Sequence, residues 1–284
     1  MNFKGLLLAA FSLLTPAAQA AATGTAPVLV IFDQDDGAAL LGVWDNPRWL
    51  SPPDAVPKVK ADTPYTVRGL SGPGVGAVGG SPVSYDSPCP DYFGVALAPR
   101  RVAQQTLIAT RADLQARPRP VVLLPNSNPT YRAVVRAELQ RRGLKNPAVE
   151  LQRIVRADLD GDGKDEVIIE ASHFAESVGS ALPRPVPAVN ASAGDFSLLL
   201  LRSVVSGQVK TTVLGADVVL KASTDIDAPR LNLRYSLEGV ADLNGDGQME
   251  IVTSDSYYEG VTLDAWTWMP ARGLKKVLET GCGV

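Results

Sequence analysis

Apolar and polar residues alternate along most of this chain, in short runs interrupted by glycine, proline and asparagine. A period of two with β-branched residues inside the runs predicts half-buried strands. The first candidates are 28–32, 40–44 and 65–70; Asn46-Pro47 and Ser51-Pro52-Pro53 between them exclude helix. Segment 71–90 is rich in Gly, Pro and Ser and is expected to be a long loop ending near Cys89. Further strands are expected at 93–98, 105–110 and 120–124.

One segment changes period. Asn128 can cap a helix, Pro129 suits its first position, and Tyr131, Val134, Val135 and Leu139 fall on one face before Gly143. Beyond it the period of two returns at 149–155, 167–170, 197–205, 208–214, 231–240, 251–254, 261–269 and 274–278, with Ser206-Gly207 as a hairpin signal. The pattern predicts a mainly β chain with one central helix.

Two of the connections are near copies. Asp158-Leu-Asp160-Gly-Asp162-Gly163-Lys164-Asp-Glu166 follows the strand at 149–155, and Asp242-Leu-Asn244-Gly-Asp246-Gly247-Gln248-Met-Glu250 follows the strand at 231–240. Each places oxygen side chains at positions 1, 3 and 5, Gly at 6 and Glu at 9. Alternate positions of a tight loop can point inward together, which suits a hard cation that takes six to eight oxygens, such as calcium. The candidate ligands are Asp158, Asp160, Asp162, the Lys164 carbonyl and Glu166, then Asp242, Asn244, Asp246, the Gln248 carbonyl and Glu250. An EF-hand is excluded because its closing Glu belongs at position 12, where Ile169 and Thr253 stand, and because the flanks are strands.

The segment Ala-Asp-Leu-Asp-Gly-Asp-Gly-Lys-Asp-Glu-Val resembles the calcium loop of FG-GAP/VCBS-type repeats, found in integrin-like β-propellers and in exported bacterial proteins. The resemblance covers about 30 residues in the two loops together. It implies metal ligands at positions 1, 3, 5, 7 and 9, the same residues named above, and a fold built from β blades. The loops start 84 residues apart, and the length is short for a seven-bladed ring. The expected fold is therefore an irregular or partial β-propeller-like repeat. Its divisions are a signal peptide at 1–20, an N-terminal β-rich region ending in a helix at 21–148, and a duplicated β region with two calcium loops at 149–284.

Composition refines this picture. Lys4, the apolar run 5–14 and Ala18-Gln19-Ala20 have the form of a secretory signal, so export to the periplasm or the medium is expected. No apolar run reaches the ~20 residues of a membrane-spanning helix. Cys89 and Cys282 are the only cysteines, and in an exported chain they are expected to pair. Residues 100–156 carry 11 Arg and one Lys against three acids, whereas 157–284 carry 19 acids and 10 bases. Without interleaved aromatics the basic stretch does not point to nucleic acid; a solvated helix face and arginine partners for the acidic half explain it.

Candidate chemistry is sparse. Gly74-x-Gly76-x-x-Gly79 is followed by Ser81-Pro82 rather than a helix, so it is not a dinucleotide fingerprint. His173 is the only histidine, which excludes His-rich zinc sites, and no nucleophile motif accompanies it. Asp255 and Glu259, close in sequence to Tyr257, Tyr258, Trp266 and Trp268, are the remaining acid pair that could act on a sugar. With no catalytic residues assigned, the function expected is a non-catalytic binding module for protein or carbohydrate. A calcium-stabilised extracellular hydrolase of a polymer is the alternative.

Overall fold

The first third of the chain closes on itself. In the computed structural model, which describes residues 23–32, 38–100, 105–178, 186–187, 189–222 and 230–284, seven strands form one sheet. They are β1 (Thr25–Ile31), β2 (Ala38–Asp45), β3 (Arg48–Leu50), β4 (Thr63–Arg68), β5 (Val75–Ser84), β6 (Phe93–Ala98) and β7 (Leu107–Arg111). Their order is β1-β7-β4-β5-β6-β2-β3, and β1 also pairs with β2, so six strands make a closed barrel with β3 appended. Leu29, Leu40, Tyr65, Val67 and Val95 pack together in one buried cluster of this sheet. Side chains fill the interior, as a barrel this small requires.

Strand β5 occupies the segment expected to be a loop. Its Gly, Pro and Ser have poor strand propensity, yet β4 and β6 pair with it on both sides. Pairing and packing override propensity here. Gly79 is needed for close approach: a Cβ there would lie 2.4 Å from Cε2 of Tyr65.

The second sheet joins β8 (Val121–Leu124), β9 (Leu151–Ala157), β10 (Glu166–His173), β13 (Phe196–Val205) and β14 (Gln208–Val218) in the order β14-β13-β10-β9-β8. A short ribbon of β11 (Ser177–Val178) and β12 (Val186–Pro187) lies between β10 and β13 in sequence. Helix α1 (Pro129–Arg141) covers one face, burying Val135 and Leu139 against Ile154, Ile169 and Leu198. The Asn128 Oδ1 caps it, accepting from Thr130 N at 3.0 Å and Tyr131 N at 3.3 Å. The third sheet runs in chain order: β15 (Arg234–Ala241), β16 (Glu250–Tyr257), β17 (Gly260–Met269) and β18 (Gly273–Gly283).

Two cores join these layers. Ile168, Leu199, Leu237 and Ile251 pack the second sheet on the third, while Val28, Leu41, Val252 and Leu263 pack the barrel on the third. Cys89 and Cys282 form a disulfide with Cα atoms 5.5 Å apart, tying the segment before β6 to the last strand.

The chain is mainly β, but the propeller-like expectation is corrected. A closed barrel and two open sheets replace a ring of blades. The acidic loop is a local strand–loop–strand device and does not dictate how sheets assemble. What it does mark is common to both open sheets. Each contains a four-stranded antiparallel meander (β9-β10-β13-β14 and β15-β16-β17-β18), with the acidic loop between its first two strands. Residues 1–20, expected to be a signal peptide, lie outside the described residues.

Candidate metal centre

The two acidic loops share one internal architecture. In the first, Asp158 accepts from Gly161 N at 2.7 Å and Gly163 N at 3.1 Å; in the second, Asp242 accepts from Gly245 N at 2.6 Å and Gly247 N at 2.8 Å. Asp160 accepts from Asp162 N at 3.2 Å, and Asn244 from Asp246 N at 3.0 Å. Asp162 accepts from Lys164 N at 2.7 Å, and Asp246 from Gln248 N at 2.8 Å. The closing glutamates match as well: Glu166 Oε2 accepts from Leu159 N at 3.0 Å, and Glu250 Oε2 from Leu243 N at 2.9 Å. Glycines at positions 4 and 6 take positive φ in both copies (80° and 83°, then 77° and 89°). The glycine at position 4 is in both sequences and is as necessary as the one at position 6, because a side chain at such φ is strained.

In the first loop ligand oxygens of Asp158, Asp160 and Glu166 converge within 4.8 Å of one another. Asp162 is drawn outward, its Oδ2 2.8 Å from the Lys164 ammonium, which holds its carboxyl below the usual range. Burial and then the neighbouring carboxylates push Glu166 up to about 7, and burial also raises Asp160. In the second loop Asn244 replaces the middle carboxylate, its Nδ2 donating to Asp246 Oδ2 at 3.1 Å. Glu250 is 1% exposed and burial raises it well above the normal glutamate range, with Asp246 and Asp242 adding to the effect. Its Oε1 has no hydrogen-bond partner among the described residues. A buried carboxylate oxygen without a donor is costly. Burial likewise raises Asp242.

These donor sets fit a hard divalent cation. They are all oxygen; in the first loop Asp158, Asp160 and Glu166 converge while Asp162 stands outside that group, and among the described residues the carboxylates of the second loop form no such group. The residues at positions 1, 3, 5, 7 and 9 would hold the ion, and the ion would neutralise them.

The loops also contact each other, which spacing alone does not reveal. Met249 N donates to Leu159 O at 2.9 Å. The segment after β7 braces both: Asp242 N donates to Ala116 O at 2.9 Å, and Arg119 Nε donates to Asp158 O at 2.6 Å. Arg119 comes from the basic stretch, as do Arg153 and Arg156, which face Glu170 and Asp165. The only sequence signal for this bracing was the opposed charge of the two regions.

The other candidates are dispersed. The electrostatic neighbours of Asp255 are Lys276 and Glu279, and it hydrogen-bonds Thr262; Glu259 sits in the next turn with Tyr258. Trp268 is buried in the core, while the Trp266 Nε1 donates to Thr253 Oγ1 at 2.9 Å. His173 Nδ1 lies 3.0 Å from Glu150 Oε1, and its ring stacks on Phe196. Among the described residues no helix is long and apolar enough to cross a membrane. No protein-family model, curated protein or solved structure matches the chain.

Proposed function

We propose that each acidic loop binds one calcium ion and that the chain is an exported, calcium-stabilised binding module for protein or carbohydrate. The observation that carries the metal reading is the buried Glu250 Oε1, which lacks a donor beside Asp242 and Asp246. The one-to-one match of the two hydrogen-bond arrays supports a shared role, and it supports kinship of the loops with the FG-GAP/VCBS type. The matching meanders around them support a duplicated unit. The disulfide favours an oxidising compartment, hence export. The absence of a nucleophile–base set among the dispersed candidates favours binding over hydrolysis.

Calcium binding to the folded chain alone adds its binding free energy to stability. The test is a thermal melt with calcium and with chelator, on the parent and on Asp160→Ala and Asp246→Ala. A calcium-dependent rise in Tm is expected, smaller in each variant. An unchanged melting point in chelator would sink the reading.

A further inference from the structure

A cleft lined by polar groups lies where β9 outruns its neighbour. Strand β8 pairs only with Ile154–Ala157. Ahead of Ile154, β9 has no strand on that side among the described residues, and the chain after β8 continues through Asn126 and Ser127 into α1. The gap is a cleft of about 320 Å³. A second lobe of about 200 Å³ adjoins it and shares Glu150 and Gln152 as its wall. The larger lobe alone reaches the ~300 Å³ at which ligand sites begin.

Its chemistry is specific. Arg119, Arg141, Arg142, Arg153 and Arg156 each face a carboxylate. Arg132 lines the larger lobe and, among the described residues, pairs with no carboxylate; its Nη1 reaches only Val149 O at 3.4 Å. One amide N–H of Gln152 donates to Ser172 O at 3.0 Å, which leaves the second N–H and the carbonyl oxygen for a ligand. Glu150 fixes Nδ1 of His173, so the Nε2 edge is left for a ligand. In the smaller lobe the guanidinium of Arg234 lies 5.0 Å over the ring of Phe174, covering the stacking platform that a neutral sugar or a nucleobase would use.

We infer that this two-lobed cleft binds an acidic oligosaccharide, with Arg132 receiving a uronate carboxylate and the side chains of Asn126, Gln152 and His173 meeting the sugar hydroxyls. This rests on the binding-module reading and names its ligand. Arginine matches a carboxylate bidentately, and amide, hydroxyl and imidazole groups offer the mixed donors and acceptors that vicinal hydroxyls need. A simple anion would use the arginine and leave the rest idle.

The test is calorimetric titration of the calcium-loaded protein with trimers of galacturonate, mannuronate, guluronate and the hyaluronan repeat. A neutral galactose trimer and poly-glutamate serve as controls. At least one acidic trimer should bind, with affinity lowered tenfold or more by Arg132→Gln and several-fold by Asn126→Ala. The neutral trimer and poly-glutamate should bind at least tenfold more weakly. Failure of all four acidic trimers, equal binding of poly-glutamate, or indifference to both substitutions in protein with the parent Tm overturns the inference. Because the calcium shift in Tm is measured separately, saccharide failure with that shift intact refutes the cleft alone. Binding that survives chelator, with no Tm shift, refutes the metal reading alone.

Discussion

The amide of Met249 donates to the carbonyl oxygen of Leu159 across 2.9 Å, and this one bond joins the two acidic loops. The same Leu159 residue gives its N–H to Glu166 Oε2, the closing carboxylate of the first loop. Met249 directly precedes Glu250, the closing carboxylate of the second. Ordering one loop therefore orders the residue that anchors the other.

Calcium binding at the two loops should consequently be positively cooperative. Asp160→Ala disables the first loop without touching the second. It should still weaken the affinity measured at the second by about fivefold or more, in the range usual for coupled sites. The reciprocal variant Asp246→Ala should weaken the first by the same factor, since linkage is symmetric. Titrations that resolve two independent sites, each unmoved by loss of the other, would show that the bond carries no coupling.

Glu250→Gln separates the cost of the metal-free loop from its purpose. The glutamine retains an oxygen acceptor for Leu243 N while removing a buried charge whose second oxygen lacks a partner. In chelator the variant should be more stable than the parent, because the amide removes the carboxylate that burial and the neighbouring Asp246 and Asp242 disfavour. In calcium the order should reverse, because the ion loses its carboxylate. Denaturant titrations in both conditions check the sign change; the same sign in both would mean that Glu250 is not held for a cation.

Much of this arrangement is legible from the sequence. The strand at 93–98 and the capped helix lie where period and capping put them, because both signals are local. The acidic loops are equally local, since every hydrogen bond within them spans seven residues or fewer. The barrel is not legible. It depends on β5, whose Gly-rich sequence lacks strand propensity and is held by β4 and β6 on either side. The Leu159–Met249 bond and the Arg119 brace are long-range, and nothing in either loop's own sequence announces them.

The disulfide closes a loop across a sequence separation of 193 residues, from the barrel to the last strand. The chain-entropy model assigns a crosslink of that span about 5 kcal/mol, and measured values commonly fall lower, near 2–5 kcal/mol. Reductant, or Cys89→Ser with Cys282→Ser, should lower the denaturant midpoint accordingly while leaving the far-ultraviolet circular dichroism of the native state intact. A midpoint unchanged by reductant would show that barrel and meander are held by packing alone.

Asp264 provides a pH dependence independent of the acidic loops. It lies on β17 between Thr253 and Glu279 in register, with Lys276 Nζ 2.9 Å from its Oδ1. Burial raises its pKa from 3.8 to about 6, and the Lys276 ammonium offsets part of that rise. Between those two values the folded chain holds a proton that the unfolded chain has released. The stability tied to this proton is fully present below the unfolded value of 3.8 and is lost as pH rises through about 6. Asp264→Asn keeps the side chain neutral throughout and should remove this component. Between about pH 4 and about pH 7 the parent should lose roughly 1–3 kcal/mol more stability than the variant, since a tenfold change in proton affinity is worth about 1.4 kcal/mol. The acidic loops titrate alike in both proteins, so the difference between the two curves isolates Asp264. Parallel curves would mean that Lys276 holds the carboxylate ionised across the whole range.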